Sequence, residues 1–279
     1  MTTPGSYDAS IMNVDLAKEL QRLHLQVLLS WKKEARTLGW FGLNDQMSVL
    51  ELGSGPGFYT EQLLNLLPNS QITALEIDPV LVKQSQQYLQ NKADHRLQII
   101  EASVMETGLP DNSFDFVIAR LVLEHISNPL GAVKEVLRVL KPGGKLVIIG
   151  GDRNMMMLID PLFPEFDLIN EKAAQFQINR GGDPFLGRKL WRILQTAGFE
   201  NLDLETIAYH SDDVGIEAIS EQFQPEHFLH LASLGMLSAQ EAENTIAAMN
   251  KFLNSENPFI LILGFMACGQ KPYLNIAEN

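Results

Sequence analysis

Cysteine and long apolar runs are nearly missing from the sequence, and each absence excludes a class of protein. Only one of the 279 residues is a cysteine, Cys268, so neither an intrachain disulfide nor a cluster of cysteine metal ligands can form. The most apolar run, FILILGFMA at 259–267, is much shorter than the ~20 residues that span a bilayer. The opening residues, MTTPGSYDAS, lack the basic region and apolar run of a signal peptide. We therefore expect a reduced, cytoplasmic protein.

Positive charge is also scarce. The chain has 21 Lys and Arg residues against 34 Asp and Glu residues, which gives a formal net charge of -13 at pH 7. Binding to a nucleic-acid backbone depends on clustered Lys and Arg side chains, and so does binding to an anionic membrane surface. The charge therefore argues against nucleic acid and membrane as partners. An apolar content of 46% is ordinary for a globular protein and is enough for a large core.

Strand and helix patterns alternate between residues 47 and 151. The strand segments are rich in Val, Ile and Leu, and Asp78 and Asn128 are placed to cap the helices that follow them. This alternation predicts an α/β fold with a doubly wound, Rossmann-like parallel sheet. The predicted strands are 47–52, 71–77, 96–102, 113–120 and 145–151, the predicted helices are 58–67, 78–90 and 128–140, and KPGG at 141–144 is predicted as the turn into the fifth strand.

The rest of the chain is predicted to complete the sheet and to cover it. An apolar repeat of three- and four-residue steps predicts a helix over 14–38. We expect a single domain, 1–279, whose added segments lie over the carboxyl ends of the strands, where doubly wound sheets bind ligands. Its parts are an N-terminal helical lid at 1–40, a core at 41–151, cap insertions at 152–185 and 210–254, and the end of the sheet at 186–209 and 255–279, with strands at 199–209 and 259–268.

The stretch VLELGSGPGFYTE, residues 49–61, joins the first strand to the first core helix through three glycines. A glycine turn between a strand and a helix presents backbone N–H groups to a ligand. Phe58 stands where a dinucleotide-binding G-x-G-x-x-G loop needs its third glycine, which disfavours a dehydrogenase. Glu76 ends the second strand, and its carboxylate could accept hydrogen bonds from both hydroxyls of a ribose. The alternatives are a glycine turn without a ligand and, for Glu76, a surface acid.

Four separated motifs occur in a fixed order along the core. They are E-x-G-x-G-x-G beginning at Glu51, the acid Glu76, LPDNSFDFVIAR at 109–120 and LRVLKPGGKLVI at 137–148. In this order they resemble class I S-adenosylmethionine (SAM)-dependent methyltransferases, which implies a seven-stranded sheet with an antiparallel last strand, SAM as the cofactor and methyl transfer as the activity. A narrower resemblance, to bacterial small-molecule methyltransferases, rests on ELQRLHLQ, ARLVLEHISNP and GGDPFLGRKL.

The resemblance assigns the methionine end of SAM to the loop after the first strand. Glu51 would orient the ammonium group through the loop or a water. Arg120, which ends the fourth strand, would border the methionine moiety mostly through its backbone. The loop residues expected beneath the methionine are Gly53, Ser54, Gly55 and Gly57.

The same resemblance assigns the adenosine end of SAM to the next two strands. Glu76 would hold the ribose, and Ile77 would lie against the adenine. Most members of the family carry an Asp near the adenine amine after the third strand, but this chain has Ser103 there. Adenine recognition is therefore expected from Ser103, Val104 and backbone groups.

One face of the predicted N-terminal helix is polar. Glu19, Arg22 and Gln26 are spaced i, i+3 and i+7, so they share that face. The helix could cover the cofactor, with Arg22 or Gln26 meeting the SAM carboxylate and Tyr7 as a further contact. The alternative is an exposed polar face that contains an ion pair.

Histidine is the usual general base near neutral pH, and His125 lies directly after the fourth strand, beside Glu124. We predict that His125 faces the acceptor and removes a proton from it. The alternative is that its ring packs against the sheet. His227 and His230 have a spacing that suits a metal, but no third ligand has suitable spacing, so no metal site is predicted.

The added segments are rich in methionine and phenylalanine, which suit an irregular apolar ligand. Together they predict an enclosed pocket for a small, largely apolar or aromatic acceptor, methylated in specialised (natural-product) metabolism. A quinone or lipid precursor is the closest alternative acceptor, and a catalytically inactive SAM-binding module is the alternative that is not an enzyme. A homodimer remains open. The side chains concerned are Met155, Met156, Met157, Phe163, Phe166, Phe176, Phe223 and Phe228.

Overall fold

The computed structural model of the protein describes residues 6–7, 16–92 and 95–273. Parts of the predicted lid (1–5 and 8–15) and the predicted final segment beyond 273 lie outside the described residues. The strands in the described ranges are β1 (Ser48–Leu52), β2 (Gln71–Glu76), β3 (Leu97–Glu101), β4 (Phe114–Arg120), β5 (Leu140–Gly150), β6 (Met157–Asp160), β7 (Glu200–His210) and β8 (Phe259–Gln270).

Helices surround these strands and cover one end of them. Asp78 accepts a hydrogen bond from the Val80 N–H at 2.8 Å, and Asn128 accepts one from the Gly131 N–H at 3.0 Å, so both predicted caps are present. No helix within the described ranges combines the length and the apolar character needed to cross a membrane. The α-helices are α1 (Leu16–Trp40), α2 (Phe58–Leu66), α3 (Pro79–Leu89), α4 (Pro129–Val139), α5 (Pro164–Asn179), α6 (Leu190–Ala197), α7 (Ser211–Val214), α8 (Ile216–Ser220), α9 (Pro225–Ser233) and α10 (Ala239–Leu253), and short 3-10 turns occupy Leu123–His125, Gly187–Lys189 and Glu221–Phe223.

The strands form one sheet in the order β3-β2-β1-β4-β5-β8, and β6 and β7 are also paired with β8. Strands β1 to β5 are parallel, and β8 runs antiparallel to β5 and β7. Because β1 pairs with β2 on one edge and β4 on the other, the winding reverses between β1 and β4. Ligands bind at such a reversal point, beyond the carboxyl ends of the strands. The predicted doubly wound sheet with an antiparallel last strand is confirmed.

One strand, β6, was not expected, because it lies inside the segment predicted as a cap insertion. Strand β6 pairs with residues 259–262 of β8, and β5 pairs with residues 265–270 of β8. Both therefore lie on the same edge of β8. Strand β7 occupies the opposite edge of β8. The four residues MLID are too few to display a two-residue period, so the sequence alone does not distinguish them from a loop.

The KPGG segment differs in detail from its prediction as a turn between helix and strand. Strand β5 already begins at Leu140, which pairs with Phe114, and its next partner pair is Lys145 with Phe116. KPGG therefore bulges out of the strand between two paired residues. Gly143 has a φ of 78°, in the left-handed region that favours glycine, which is why the chain can make this bulge.

Side chains alternate between the two faces of the sheet. On one face Leu50 and Val117 pack with helices α4 and α6, and on the other Val49 and Phe116 pack with α1 and α2. A third apolar cluster joins β6 and the start of β8 to α5, α8, α9 and α10. This third cluster, which we call the cap, gives the added segments a core of their own.

Candidate functional site

A cavity of about 690 Å³ lies at the carboxyl ends of the central strands. Residues from the loops after β1, β2, β3, β4 and β5 line it, and so do α1 and the cap. The cavity thus lies where the strand order reverses. The predicted site residues that line it are Arg22, Gln26, Glu51, Gly53, Ser54, Gly55, Glu76, Ile77, Ser103, Val104, Arg120 and His125.

The three glycines after β1 have left-handed φ values of 63°, 55° and 87°, but their surroundings differ. A Cβ on Gly53 would lie 2.6 Å from Cγ2 of Val122, and a Cβ on Gly57 would lie 2.7 Å from Oγ of Ser85. A Cβ on Gly55 would meet nothing within 4 Å. Gly57 is not among the residues that line the cavity. Its contact with a cofactor therefore stays a prediction, whereas its packing against α3 is a sufficient reason for glycine.

The loop does not present its N–H groups to the cavity in the way the glycine pattern suggested. The N–H of Ser54 donates to the carbonyl of Leu75 at 3.1 Å, and the N–H of Gly57 donates to the carbonyl of Ser54 at 3.2 Å. The N–H of Gly55 donates to Oε2 of Glu76 at 2.8 Å. These N–H groups hold the loop in place and are therefore not available to a ligand. What the loop offers a ligand is open space beside its backbone at Gly55.

Glu76 ends β2 and is almost fully buried, so it is not a surface acid. Besides the Gly55 N–H, its carboxylate accepts hydrogen bonds from the N–H groups of Ile77 at 2.8 Å and Asp78 at 3.0 Å. A carboxylate has about four acceptor sites. Three are therefore used by the backbone, and capacity for a ligand hydroxyl remains on the side that faces the cavity.

Glu51 lies deeper in the same wall, with 2% of its surface exposed. Its Oε2 accepts a hydrogen bond of 2.6 Å from the Thr60 hydroxyl. Burial raises the pKa of Glu51 to about 8, against the opposing effects of the Thr60 hydrogen bond and the positive charge of Arg120. A carboxyl with this pKa can hold or release a proton near neutral pH.

The polar face of α1 points into the cavity and is not exposed. Glu19 is fully buried, and it accepts hydrogen bonds from Nε of Arg22 at 2.9 Å and from the Tyr7 hydroxyl at 2.8 Å. The ion pair of the alternative interpretation is thus present, but it forms inside the cavity wall. Gln26, one turn further along α1, lines the cavity beside it.

Arg120 directs its side chain toward α1. Its Nε donates to Oε2 of Glu34 at 2.9 Å, and its Nη2 donates to the Ser30 hydroxyl at 3.0 Å and to the Gln26 carbonyl at 3.3 Å. Sequence analysis did not find Glu34 or Ser30. The signal was available, because residues 26, 30 and 34 are polar at four-residue steps beside the apolar stripe of the helix.

His125 lines the cavity, and its ring is held by the short described segment before α1. Its Nδ1 lies 2.8 Å from the Ser6 hydroxyl, and its ring centroid lies 5.5 Å from that of Tyr7. Burial, helped by the positive charges of Arg153 and Arg22, lowers the pKa of His125 to about 4. The imidazole is therefore neutral at pH 7 and can accept a hydrogen bond, but it is a weak proton acceptor.

Glu124, beside His125, is a second titratable group of the cavity wall. Its Oε2 is buried and has no hydrogen-bond partner within the described chain. Burial raises the pKa of Glu124 to about 7. Its main-chain carbonyl accepts hydrogen bonds from the Asp183 N–H at 2.7 Å and from Nε2 of Gln177 at 3.0 Å. The GGDPFLGRKL segment (181–190) and α5 therefore hold this part of the wall in position.

The cap closes the cavity with apolar side chains. The polar lining residues of the cap include Asn170 and Gln177 of α5 and His227 of α9, and burial lowers the pKa of His227 to about 4. Met155 is 48% exposed and does not line the cavity. Across the residues described, no group of three or more His, Cys, Asp or Glu is placed to hold a metal ion. The predicted cap residues that do line the cavity are Met156, Met157, Phe163, Phe166, Phe176, Phe223 and Phe228.

The sheet order, the glycine loop after β1 and the acid at the end of β2 together define a class I SAM-dependent methyltransferase. The sequence profile described as a methyltransferase domain matches residues 50–148, which contain the glycine loop, Glu76 and most of the five parallel strands. Residues 50–148 are therefore a methyltransferase domain of this class, and SAM is the cofactor of that domain. The cavity fits that group, because Gly55 leaves open space at the loop and Glu76 retains acceptor capacity.

Relatives with described activities are distant. The chain is 27% identical over 164 residues to the malonyl-[acyl-carrier protein] O-methyltransferase of Paenibacillus sp. (strain JDR-2), which covers 58% of each protein. It is 24% identical over 234 residues to the ubiquinone/menaquinone biosynthesis C-methyltransferase of Ectopseudomonas mendocina, covering 79% of this chain and 85% of the relative. The chain thus spans little more than half the length of some curated relatives that it matches, with shares of 58% and 54% in two of them.

Solved structures agree on the fold. The phosphoethanolamine N-methyltransferase 2 of Haemonchus contortus in complex with SAM superposes with a TM-score of 0.57 at 18% identity. The match covers 87% of this chain and 53% of the other. At this level of identity the similarity establishes the fold and leaves the acceptor open.

Proposed function

We propose that the protein transfers the methyl group of SAM to a small acceptor whose body is largely apolar or aromatic. One observation carries this proposal: the loop and strand ends expected to hold SAM and the apolar side chains of the cap line the same cavity. A cofactor and an acceptor bound there would be adjacent and shielded from water. Methyl transfer needs this arrangement, because the acceptor atom must be held about 3–3.5 Å from the methyl carbon.

We assign the following roles to the residues that line the cavity. Gly53, Ser54 and Gly55 lie at the methionine end and Glu76 at the ribose, while Ile77 with Ser103 and Val104 would bound the adenine. Helix α1, with Arg22 and Gln26, closes the cavity above them. Bound SAM supplies an electrophilic methyl group on its sulfonium. The predicted division into lid (1–40), core (41–151), cap insertions (152–185 and 210–254) and sheet end (186–209 and 255–279) of one domain belongs to this proposal.

Two neighbouring groups could take a proton from the acceptor. His125 is the predicted base, and its neutral imidazole is available at pH 7, but its pKa of about 4 makes it a weak one. The pKa of Glu124, about 7, is closer to the value at which general bases work best. We keep His125 as the proposed base, and the variants His125→Ala and Glu124→Gln separate the two.

The experiment has a binding part and a transfer part. Calorimetry with S-adenosylhomocysteine (SAH) measures cofactor binding, and transfer of radiolabel from methyl-labelled SAM is then measured with a panel of phenols, aryl acids and quinols. We expect micromolar SAH binding and label on a small apolar acceptor. Binding without any transfer or SAM hydrolysis would identify an inactive SAM-binding module. Transfer to tRNA or rRNA at ordinary salt would contradict the small-molecule proposal.

A prenylated quinol is the second candidate acceptor. It is favoured by the Ectopseudomonas relative, whose name places it in quinone biosynthesis and of which the chain covers 85%. Methylation of a prenylated quinol, but not of short phenols, would support this candidate. Specialised metabolism is the proposed setting of the reaction. A cytoplasmic location is a further part of the proposal, which cell fractionation addresses. Sedimentation distinguishes a monomer from a homodimer.

A further inference from the structure

Three arginines line the cavity, and one of them, Arg153, forms no ion pair with a described residue, although it interacts electrostatically with Glu124. Arg22 is paired with Glu19, and Arg120 is paired with Glu34. The guanidinium of Arg153 makes no hydrogen bond or ion pair with any residue that the structure describes, although it lines the cavity. A cation with little access to water is costly unless an anion compensates it. A ligand is therefore the natural source of the missing charge.

Arg153 stands on a braced turn and not on a loose loop. Its N–H donates to the carbonyl of Pro184 at 2.9 Å. The neighbouring Asp152 is fully buried, and its carboxylate is paired with Arg188. The Asp152 carbonyl accepts hydrogen bonds from the N–H groups of Met155 at 2.8 Å and Met156 at 2.7 Å. The turn is thereby fixed on both sides of Arg153.

The GGDPFLGRKL segment supplies this brace. The N–H of Gly187 donates to the carbonyl of Gly151 at 2.9 Å, and a Cβ on Gly187 would lie 2.9 Å from that same oxygen. Only a residue without a side chain lets the two segments approach so closely. Pro184 and Arg188, which hold the turn through Arg153 and Asp152, belong to the same segment. The motif thus fixes the main chain from which the Arg153 side chain extends, a role that cofactor binding alone does not explain.

The place of Arg153 in the sheet separates it from the cofactor. The residues that would hold the ribose and adenine of SAM follow β2 and β3, and those at its methionine end follow β1, end β4 or lie on α1, whereas Arg153 follows β5, on the far side of β4 from β2. The neighbouring polar groups add little charge at pH 7, because the pKa of His125 and that of His227 are both about 4. Glu124, with a pKa of about 7, interacts electrostatically with Arg153, but it is only partly ionised at pH 7 and forms no direct ion pair with the guanidinium.

We propose that Arg153 binds an anionic group of the acceptor, so that the substrate is a small acid with an apolar body. The planar fork of a guanidinium matches a carboxylate with two parallel hydrogen bonds, and a sulfonate or phosphate offers the same oxygens. Met156 and Phe176 line the cavity and would contact the apolar body. This inference rests on the proposed function, since it names the class of acceptor for the same cavity.

Two fluorescent probes of similar shape test the inference. 8-Anilinonaphthalene-1-sulfonate carries an anion, and N-phenyl-1-naphthylamine has the same aromatic body without it. Each is titrated into the full chain saturated with SAH. Relative to the wild type, Arg153→Gln should weaken binding of the sulfonate about tenfold or more, and Arg153→Lys should weaken it less. Binding of the neutral amine should change less than about twofold.

Arg192, which is exposed on α6, provides the matched control. Arg192→Gln removes the same charge and should leave both probes unaffected. Equal weakening of both probes by Arg153→Gln, unchanged sulfonate binding, or no sulfonate binding by the wild type would each overturn the inference. Weaker SAH binding in Arg153→Gln, with an unchanged melting temperature, would overturn it by assigning Arg153 to the cofactor. Failure of the proposed function would give a different result, namely a wild type that does not bind SAH.

Discussion

Nε of Arg120 lies 2.9 Å from Oε2 of Glu34, which joins the last residue of β4 to the middle of α1. Both side chains are almost completely buried, with exposed fractions of 10% and 2%. The ring of Tyr59 lies 5.1 Å below the guanidinium. Helix α1 is therefore held over the cavity by an almost completely buried charge pair.

We expect Glu34→Gln to destabilise the fold by about 3 kcal/mol, because it leaves the charge of Arg120 buried and uncompensated. Urea unfolding followed by circular dichroism measures the change. The control is Glu226→Gln, which breaks the exposed pair of Lys18 and Glu226, at 3.4 Å, and should change the free energy of unfolding far less, because solvent screens this pair. Similar losses in the two variants would show that the buried pair does not anchor α1.

The loop glycines should separate stability from cofactor binding. Gly53→Ala brings a Cβ to 2.6 Å from Val122, so it should lower the free energy of unfolding by several kcal/mol. Adding Val122→Ala should restore part of this loss. Gly55→Ala meets no atom within 4 Å and should cost only about 1–2 kcal/mol for its left-handed backbone. Its new methyl group enters the cavity, so SAH affinity should fall at least tenfold.

Urea unfolding and SAH calorimetry decide this prediction. Both are measured on the wild type, on Gly53→Ala with and without Val122→Ala, and on Gly55→Ala. If Gly55→Ala binds SAH as the wild type does, the cofactor does not approach the loop at that residue. If Gly53→Ala is as stable as the wild type, the contact with Val122 is relieved by a small movement of the loop.

The core of the fold follows from local sequence patterns. Strands β1 and β4 are buried on both faces, so each reads as a nearly continuous apolar run, whereas the edge strand β3 is only half-buried and carries polar residues. The antiparallel last strand came from the resemblance, since nothing local in residues 259–268 specifies its direction. Strand β6 escaped detection because it is only four residues long and is stabilised by its pairing with β8.

The candidate site was accessible to sequence analysis only where it lies within one motif. The Gly53–Gly55 turn and Glu76 are adjacent to their strands, so their positions in the cavity follow from the fold. The polar residues at 26, 30 and 34 mark a face of α1, but the pairing of Glu34 with Arg120 joins residues 86 positions apart, and no local pattern specifies that partner. The same holds for Arg153, whose lack of a partner becomes visible only when every neighbour in the cavity is known.

Glu76→Gln should weaken SAH binding about tenfold, because an amide nitrogen replaces one carboxylate oxygen and cannot accept the ligand hydroxyl. The substitution also takes an acceptor from at least one of the three backbone N–H groups that donate to the carboxylate, so the free energy of unfolding should fall as well. Glu101→Gln is the matched control, because Glu101 pairs with Glu76 in register on β3 and is exposed. Calorimetry with SAH measures both. Equal affinities in the two variants would exclude a ribose contact at Glu76.

Glu124→Gln should make the protein more stable above neutral pH. The pKa of Glu124 is about 7 in the folded protein against an ordinary 4.5, so the folded state binds more protons than the unfolded state between these values. Wild-type stability is therefore lost, through this group, as pH rises from about 4.5 to about 7. Glutamine stays neutral, so its advantage should be near zero at pH 4.5 and reach 1–3 kcal/mol, as an order of magnitude, at pH 8.

Glu135 supplies a control of opposite sign. Its hydrogen bonds with Arg138 lower the pKa of Glu135 to about 2, so ionised Glu135 stabilises the fold above about pH 4.5 and that stability is lost as pH falls toward 2. Glu135→Gln should therefore be less stable than the wild type at pH 8, where Glu124→Gln is more stable. The low pKa values of His125 and His227 affect wild type and variants alike, so they cancel in the difference. Urea unfolding at pH 5 and pH 8 measures the stability of both variants. If the stability that Glu124→Gln gains over the wild type does not grow with pH, the carboxyl of Glu124 is already ionised, or hydrated, inside the cavity.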